Sequence, residues 1–418
     1  MNKRLFTPYL FAIRTIRTHR ARTALALLGV VIGVFAIVVV TALGEGVKGY
    51  ILGQVESFGT NLIQVEVKIP NTTAMSSGNS TGRAQGTQIT TLTVKDAEAI
   101  EKIANVEAVY AGTIGQERAT YGSVGKRISL FGTGPDVALV DQNLKLESGR
   151  FFTAEEDTSL AQVAVLGSDT KETFFGSSDA VGEYITLKGE KYRVIGVLES
   201  RGAVAFLNFD TFTYIPVRTL QKKLLGVNYV QFVSAKMRDA SRETETVADI
   251  VALLRKRHDI TDPDKDDFSV TSTKETQETL GDVLGALSIL LLALTSISLV
   301  VGGVGIMNVM YVSVSERTSE IGLRKAVGAT SKSILQQFLF EALIITLLGG
   351  VIGILLGMLL TLVLGYAFAS FGFPLPLSFS FQSFLLGVGF STAVGVIFGL
   401  APAYRASELT PMEALRRD

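Results

Sequence analysis

Long stretches without a single charge alternate along this chain with one long stretch where polar and apolar residues interleave. No Asp, Glu, Lys or Arg occurs in 23–44, in 283–315 or in 342–404. About 20 apolar residues suffice to cross the hydrocarbon of a bilayer, so 23–44 and 283–311 each predict one span. The last apolar run is too long for one crossing. It breaks at Ala369-Ser-Phe-Gly-Phe-Pro-Leu-Pro-Leu-Ser378, where Gly and two prolines favour a turn, leaving spans at 334–366 and 383–402. The pattern predicts an α-helical membrane protein with four transmembrane helices.

Between the first two spans the periodicity changes. Leu62-Ile-Gln-Val-Glu-Val67 alternates as a strand, and Val94, Ala97, Ile100 and Ala104 share a helical face after Thr93, a good N-cap residue. A strand at 106–111 follows. The order recurs later, with a strand at 229–235, a helical stripe of Val247, Ile250, Val251 and Leu254 after Ser241, and a strand at 268–271. Neither β-α-β unit buries its apolar face alone, so 45–114 and 227–282 are expected to pack together as one α/β subdomain. The insertion between them, 115–226, reads as β-rich, with short strands at 163–166 and 213–216 and a hairpin over 183–198 turning near Gly189. Together 45–282 form a large α+β extracytoplasmic domain between helices 1 and 2. The Ser/Thr/Gly/Asn-rich stretch 70–91 reads as a solvated linker, with a contact arm for a partner as the alternative.

Charge adds orientation. Lys3, Arg4, Arg14, Arg17, Arg20 and Arg22 precede the first span; Arg317, Arg324, Lys325 and Lys332 fall in 312–333; Arg405, Arg416 and Arg417 fall in the tail 403–418. By the positive-inside rule these segments and both termini are cytoplasmic, while 45–282 and the uncharged loop 367–382 lie outside. The expected location is a bacterial plasma membrane. The formal net charge of zero conceals this division, because 33 of the 39 acidic residues lie in 45–282. Residues 1–22 read as an interfacial helix feeding the first span, itself an uncleaved anchor.

Several chemistries find no support. Gly122-Ser-Val-Gly-Lys126 only imitates a Walker A loop, with Thr120 in place of the first Gly and Arg127 where the Mg²⁺-binding hydroxyl belongs. His19 and His258 are the only histidines and there is no cysteine, which leaves little to build a metal site. Asp262-Pro-Asp-Lys-Asp-Asp267 lacks the Gly and Glu of a calcium loop and reads as a solvated acidic turn. No cofactor is expected on this chain. Within the spans the one acidic or basic side chain is Glu341, read either as a functional intramembrane group or as an interfacial carboxylate near Lys332 or Arg324.

One polar phrase separates the second and third spans. Residues 316–328 fit a short amphipathic helix ended by Gly328, with Thr330 or Ser331 capping the next. Glu316, Arg317, Glu320 and Arg324 supply charge, and Ile321, Ala326 and Val327 supply small apolar contacts. Gly29/Gly33 and Gly349/Gly353/Gly357 are spacings that allow helices to approach closely. Phe371, Phe373, Phe379 and Phe381 are placed at the outer interface.

Ser315-Glu-Arg-Thr-Ser-Glu-Ile-Gly-Leu-Arg-Lys-Ala-Val-Gly-Ala-Thr330, with Gln336-Gln-Phe-Leu-Phe-Glu-Ala342 and the Gly-rich third span, closely resembles the FtsX-type permease module. The domain at 45–282 is similar to the MacB-type periplasmic core at Gly44-Glu-Gly46, Gly59-Thr-Asn-Leu62, Gly149-Arg-Phe-Phe152, Val163-Ala-Val-Leu-Gly167 and Val194-Ile-Gly-Val-Leu198. The resemblance implies a non-catalytic permease subunit of an ABC exporter, paired with a second copy and driven by an ABC ATPase on a separate chain that binds the ATP. It places Glu316, Arg317, Glu320, Ile321, Gly322, Arg324, Ala326 and Gly328 at the ATPase contact. It also implies a porter-like α/β subdomain, an insertion that docks a membrane-fusion-type adaptor, and export of an amphipathic compound, peptide or lipopeptide. Lipoprotein extraction, and signal transmission to an external cell-wall hydrolase, are the alternatives.

Overall fold

The computed structural model describes residues 20–57, 59, 61–69, 89–204, 207–371, 373, 375–377 and 381–415. The interfacial helix expected before residue 20, most of the linker at 70–91 and Phe379 lie outside the described residues. In chain order the principal elements are α1 (Arg20–Glu56), β1 (Leu62–Val67), α2 (Val94–Ile100), β2 (Val106–Tyr121), β3 (Val124–Thr133), β4 (Leu146–Gly149) and β5 (Val163–Leu166). There follow α3 (Ser168–Phe175), β6 (Tyr184–Leu187), β7 (Glu190–Leu198), β8 (Phe212–Pro216), β9 (Phe232–Met237), α4 (Glu243–Arg257) and β10 (Phe268–Ser272). The chain closes with α5 (Thr273–Glu316), α6 (Thr318–Ala326), α7 (Ser331–Ser370), α8 (Phe381–Glu408) and α9 (Pro411–Leu415).

These elements form two compact units, a membrane unit of residues 1–50 and 281–418 and an interspan unit of residues 51–280. Among the described residues, α1, α5, α7 and α8 are each long and apolar enough to cross a membrane. The helices outrun the predicted spans because nothing in the flanking sequence stops them: α1 continues to Glu56 and α5 begins at Thr273. The boundary between the units therefore falls inside both helices.

Within the membrane unit, glycines bring backbones together. A Cβ placed on Gly302 of α5 would lie 2.6 Å from the carbonyl carbon of Gly29 in α1. The row Gly349, Gly353 and Gly357 on α7 faces Val30, Val31, Val34 and Val38 of α1, so both small-residue patterns are occupied within the chain. Phe371, Phe373 and Phe381 are exposed, and the Phe373 ring meets Tyr50 edge-on at 6.4 Å.

In the interspan unit, β10-β1-β9-β2 make an antiparallel sheet. One face, with Ile63, Val65, Val109, Ala111, Val233 and Ala235, packs on Ala97 and Ile100 of α2 and on Ile250 and Leu254 of α4. The two predicted β-α-β segments thus share one core. Asn105 ties them further by donating to the Asp239 carbonyl at 2.9 Å and to Thr246 Oγ1 at 2.8 Å. β2 runs on to Tyr121, well past the predicted end at residue 111, and enters a second array. There β2-β3-β8-β5-β7-β6 pair in sequence and β6 returns to β2 at Ala119↔Leu187, closing a six-stranded ring. All six strands contribute to one buried cluster, including Ala119, Leu130, Leu166, Ile185, Tyr192 and Ile215. Closure removes exposed edges from these strands. The β6–β7 hairpin turns on Lys188 and Gly189, both with positive φ, as a two-residue loop requires. The Walker-like phrase lies across the β2–β3 hairpin, with no helix behind it to receive a phosphate. The predicted solvated acidic turn is partly paired instead: Asp266 meets Arg255 at 2.7 Å and Asp267 meets His258 Nδ1 at 2.8 Å, because the end of α4 lies against it.

Candidate functional site

The polar phrase between the second and third long helices folds as a break, a short helix and a cap. α5 continues through Glu316, and Arg317 (φ −106°, ψ 17°) turns the chain into α6. Thr318 Oγ1 donates to the carbonyls of Val314 at 3.1 Å and Ser315 at 2.8 Å, bridging the break. Gly328 adopts φ +101° after the last turn of α6, a conformation that suits Gly. Thr330 Oγ1 then accepts from Ser333 N at 3.3 Å and caps α7.

The helix has a sharply divided surface. Thr318, Ile321 and Gly322 are buried; Ile321 joins the membrane unit's core, and a Cβ on Gly322 would lie 2.4 Å from Ala414 Cβ of α9. Lys325 Nζ donates to the Ser407 carbonyl at 2.5 Å, tying α6 to the end of α8. Arg324 is held by Gln337 at 2.6 Å and by Glu320 at 2.5 Å. The face left outward carries Ser319, Glu320, Leu323 and Ala326, with Val327 just beyond. Leu323 is 60% exposed and Val327 84% exposed.

Arg317 lies against the Glu341 carboxylate of α7. Its Nη1 donates to Glu341 Oε2 at 3.1 Å and Oε1 at 3.3 Å, with the Glu341 side chain 4% exposed. Arg317 is thus a partner of Glu341. The turn at Arg317 brings its side chain back over α7, and Arg324 is engaged by Gln337.

Of the candidate contact residues, Glu316, Glu320, Ala326 and Gly328 are exposed. Arg317, Ile321, Gly322 and Arg324 serve the chain's own packing. Leu323, outside that set, is exposed too, on one stripe with Ser319, Glu320 and Ala326 by the 3.6-residue period. Met412 on α9 is likewise exposed. Among the described residues no group of three or more His, Asp or Glu side chains is arranged to hold a metal ion.

A family profile described as MacB-like periplasmic core domain matches residues 23–253, and one described as FtsX-like permease C-terminal matches residues 292–411. The macrolide export ATP-binding/permease protein MacB of Azoarcus sp. (strain BH72) is 35% identical over 97% of this chain and 58% of its own length. The protein of the same name from Wolinella succinogenes is 34% identical over 98% of this chain and 61% of its own length. The chain spans about three fifths of the length of these relatives. The crystal structure of the periplasmic region of MacB from Actinobacillus actinomycetemcomitans aligns with 54% of this chain and 95% of its own, at 22% identity and TM-score 0.46.

Proposed function

Because the chain belongs to the MacB-like, FtsX-type family of ABC transporter permeases, we propose that it is a non-catalytic membrane subunit through which an ABC ATPase partner drives an extracytoplasmic domain. The work is expulsion of an amphipathic compound, peptide or lipopeptide, a reading supported by the export named for its relatives. In this reading the ABC ATPase handles the nucleotide. By the positive-inside rule, the basic residues of 312–333 support a cytoplasmic α6 and an interspan unit on the other side.

The observation that carries the reading is α6 itself. Its inner face is fixed by Ile321, Gly322 and Lys325, while its outer face offers Glu320, Leu323 and Val327 uncovered. A helix locked to its own chain on one side and bare on the other transmits a push instead of absorbing it. A second permease copy and an adaptor complete the assembly in this reading. The most apolar window of α5 is only 6% buried within the chain, leaving surface for lipid or for that copy.

The test is capture of candidate ABC ATPases by the full chain, compared with Glu320→Arg and Leu323→Asp. Both side chains are exposed, so membrane insertion should persist while capture falls about tenfold or more, as for residues central to an interface. Capture of none of the candidates by correctly inserted wild type, or equal capture by both variants, would overturn the reading.

A further inference from the structure

One face of the β10-β1-β9-β2 sheet packs on α2 and α4, and the other meets the single helical turn Val137–Val140. Alternation along the strands sends Gln64, Glu66, Tyr110, Phe232 and Ser234 to the other face. Over that face lies a cavity of about 420 Å³, walled on its far side by Phe131, Phe209 and Phe212. The wall is locked by ring contacts: Phe131 meets Phe232 at 5.8 Å and Phe212 at 5.7 Å, and Phe209 meets Phe212 at 6.0 Å. A small, largely apolar space with few polar groups is the usual form of a small-molecule site.

Its charges are one-sided. Among the described residues Glu66 and Asp141 line it, and no Lys or Arg does. Asp141 is already neutralised by Arg201 at 2.6 Å, whose guanidinium lies 4.6 Å over the Phe209 ring. Glu66, among the described residues, accepts only from the uncharged Gln64 Nε2 at 3.1 Å. The start of α5 also borders the cavity, and a helix N-terminus favours anions. That end is already served, since Ser272 Oγ accepts from Glu275 N at 2.9 Å and donates to Glu243.

We propose that this cavity binds a drug-sized amphipathic amine, its ammonium on Glu66 and its apolar body against Phe131, Phe212 and Phe232. The aromatic faces suit a cation held close to them. Burial pushes the Glu66 carboxyl above its ordinary value, and a bound ammonium would restore the ionised form. The site stands apart from the coupling reading: it concerns binding alone and needs no ATPase, so failure of either leaves the other untouched.

Three dansyl probes of one body decide the matter: a primary alkylamine, its N-acetylated form and the matching carboxylate. They are titrated by fluorescence onto the full chain in lipid nanodiscs, with the signal of empty nanodiscs subtracted. The amine should bind about tenfold tighter than the acetylated probe, a difference of about 1.4 kcal/mol, and the carboxylate weakest. Glu66→Gln should erase that preference while leaving the acetylated probe within about twofold of wild type. Ile114→Trp, which puts an indole into the cavity, should weaken all three. Equal binding of amine and acetylated probe by wild type, a preference that survives Glu66→Gln, or binding unmoved by Ile114→Trp would each overturn the proposal.

Discussion

In the membrane unit helices come together where side chains are missing, at Gly29–Gly302 and along Gly349, Gly353 and Gly357. In the interspan unit helices pack through large side chains, as when Leu254 and Ile250 meet Ile63 and Val233 on one face of a sheet. The solvent explains the difference. Removing a Leu from water contributes roughly 25 cal/mol per Å², but lipid tails are as apolar as Leu, so helices in a bilayer gain from close packing of backbones. Ion pairs do not divide this way: the Asp96 carboxylate of the interspan unit, paired with Arg257, and the Glu341 carboxylate of the membrane unit, beside Arg317, are each 4% exposed.

The largest effect should come at the Glu341 carboxylate. Arg317→Ala takes the guanidinium away from a buried carboxylate and should cost about 3–5 kcal/mol, measured as unfolding of the full chain in detergent or nanodiscs. Arg317→Met combined with Glu341→Leu should recover most of the loss. A single variant as mild as a surface substitution would mean that the membrane unit tolerates charge as water does.

Next comes packing. The methyl of Gly302→Ala would meet backbone atoms of Gly29 and Val30 at 2.6–2.9 Å, with no flexible side chain to yield. It should cost about 1–3 kcal/mol, whereas Gly389→Ala, which meets nothing within 4 Å, should be neutral or slightly stabilising. Similar melting temperatures for the two would remove the distinction drawn between the units.

The smallest effect belongs to the interspan unit. Burial alone would raise the Asp96 carboxyl, but hydrogen bonds from Arg257 and Thr93 hold it below its ordinary value. A carboxyl depressed in the folded state contributes stability that is fully present above the unfolded value near 3.8 and is lost as pH falls through the folded one. Asp96→Asn should therefore cost about 1 kcal/mol at neutral pH, chiefly through a weakened helix start. It should also flatten the acid-side loss of protection in α2 and α4, measured by hydrogen exchange corrected for intrinsic rates. An unchanged acid slope would assign the acid sensitivity elsewhere.

Some of this was legible in the chain. Uncharged runs announce the spans because bilayer thickness sets their length, and an isolated charged phrase announces α6 because nothing else competes for its period. Small-residue spacings were visible too, but not that Gly29 would face Gly302, since the partner helix is chosen by the whole bundle. The rotational setting of α6 was hidden for a related reason. Docking of Ala414 on Gly322 turns Ile321 inward and leaves Leu323 out, and that contact joins residues far apart in sequence. The ring closure of β6 on β2 and the cavity over Glu66 likewise depend on which strand lies beside which. Alternation shows that Glu66 and Val65 point oppositely, but not what each will meet.

The length of β2 has one more consequence. A single strand belongs to both the open sheet and the closed ring, paired with β9 up to Gly112 and with β3 from Gly112 to Tyr121, so the two halves of the interspan unit share one continuous strand. They cannot swivel past each other as beads on a string do. Any rearrangement between them must twist that shared strand along its own axis, and the strand then acts as a torsion spring whose stiffness is set by how many rungs on either side stay intact.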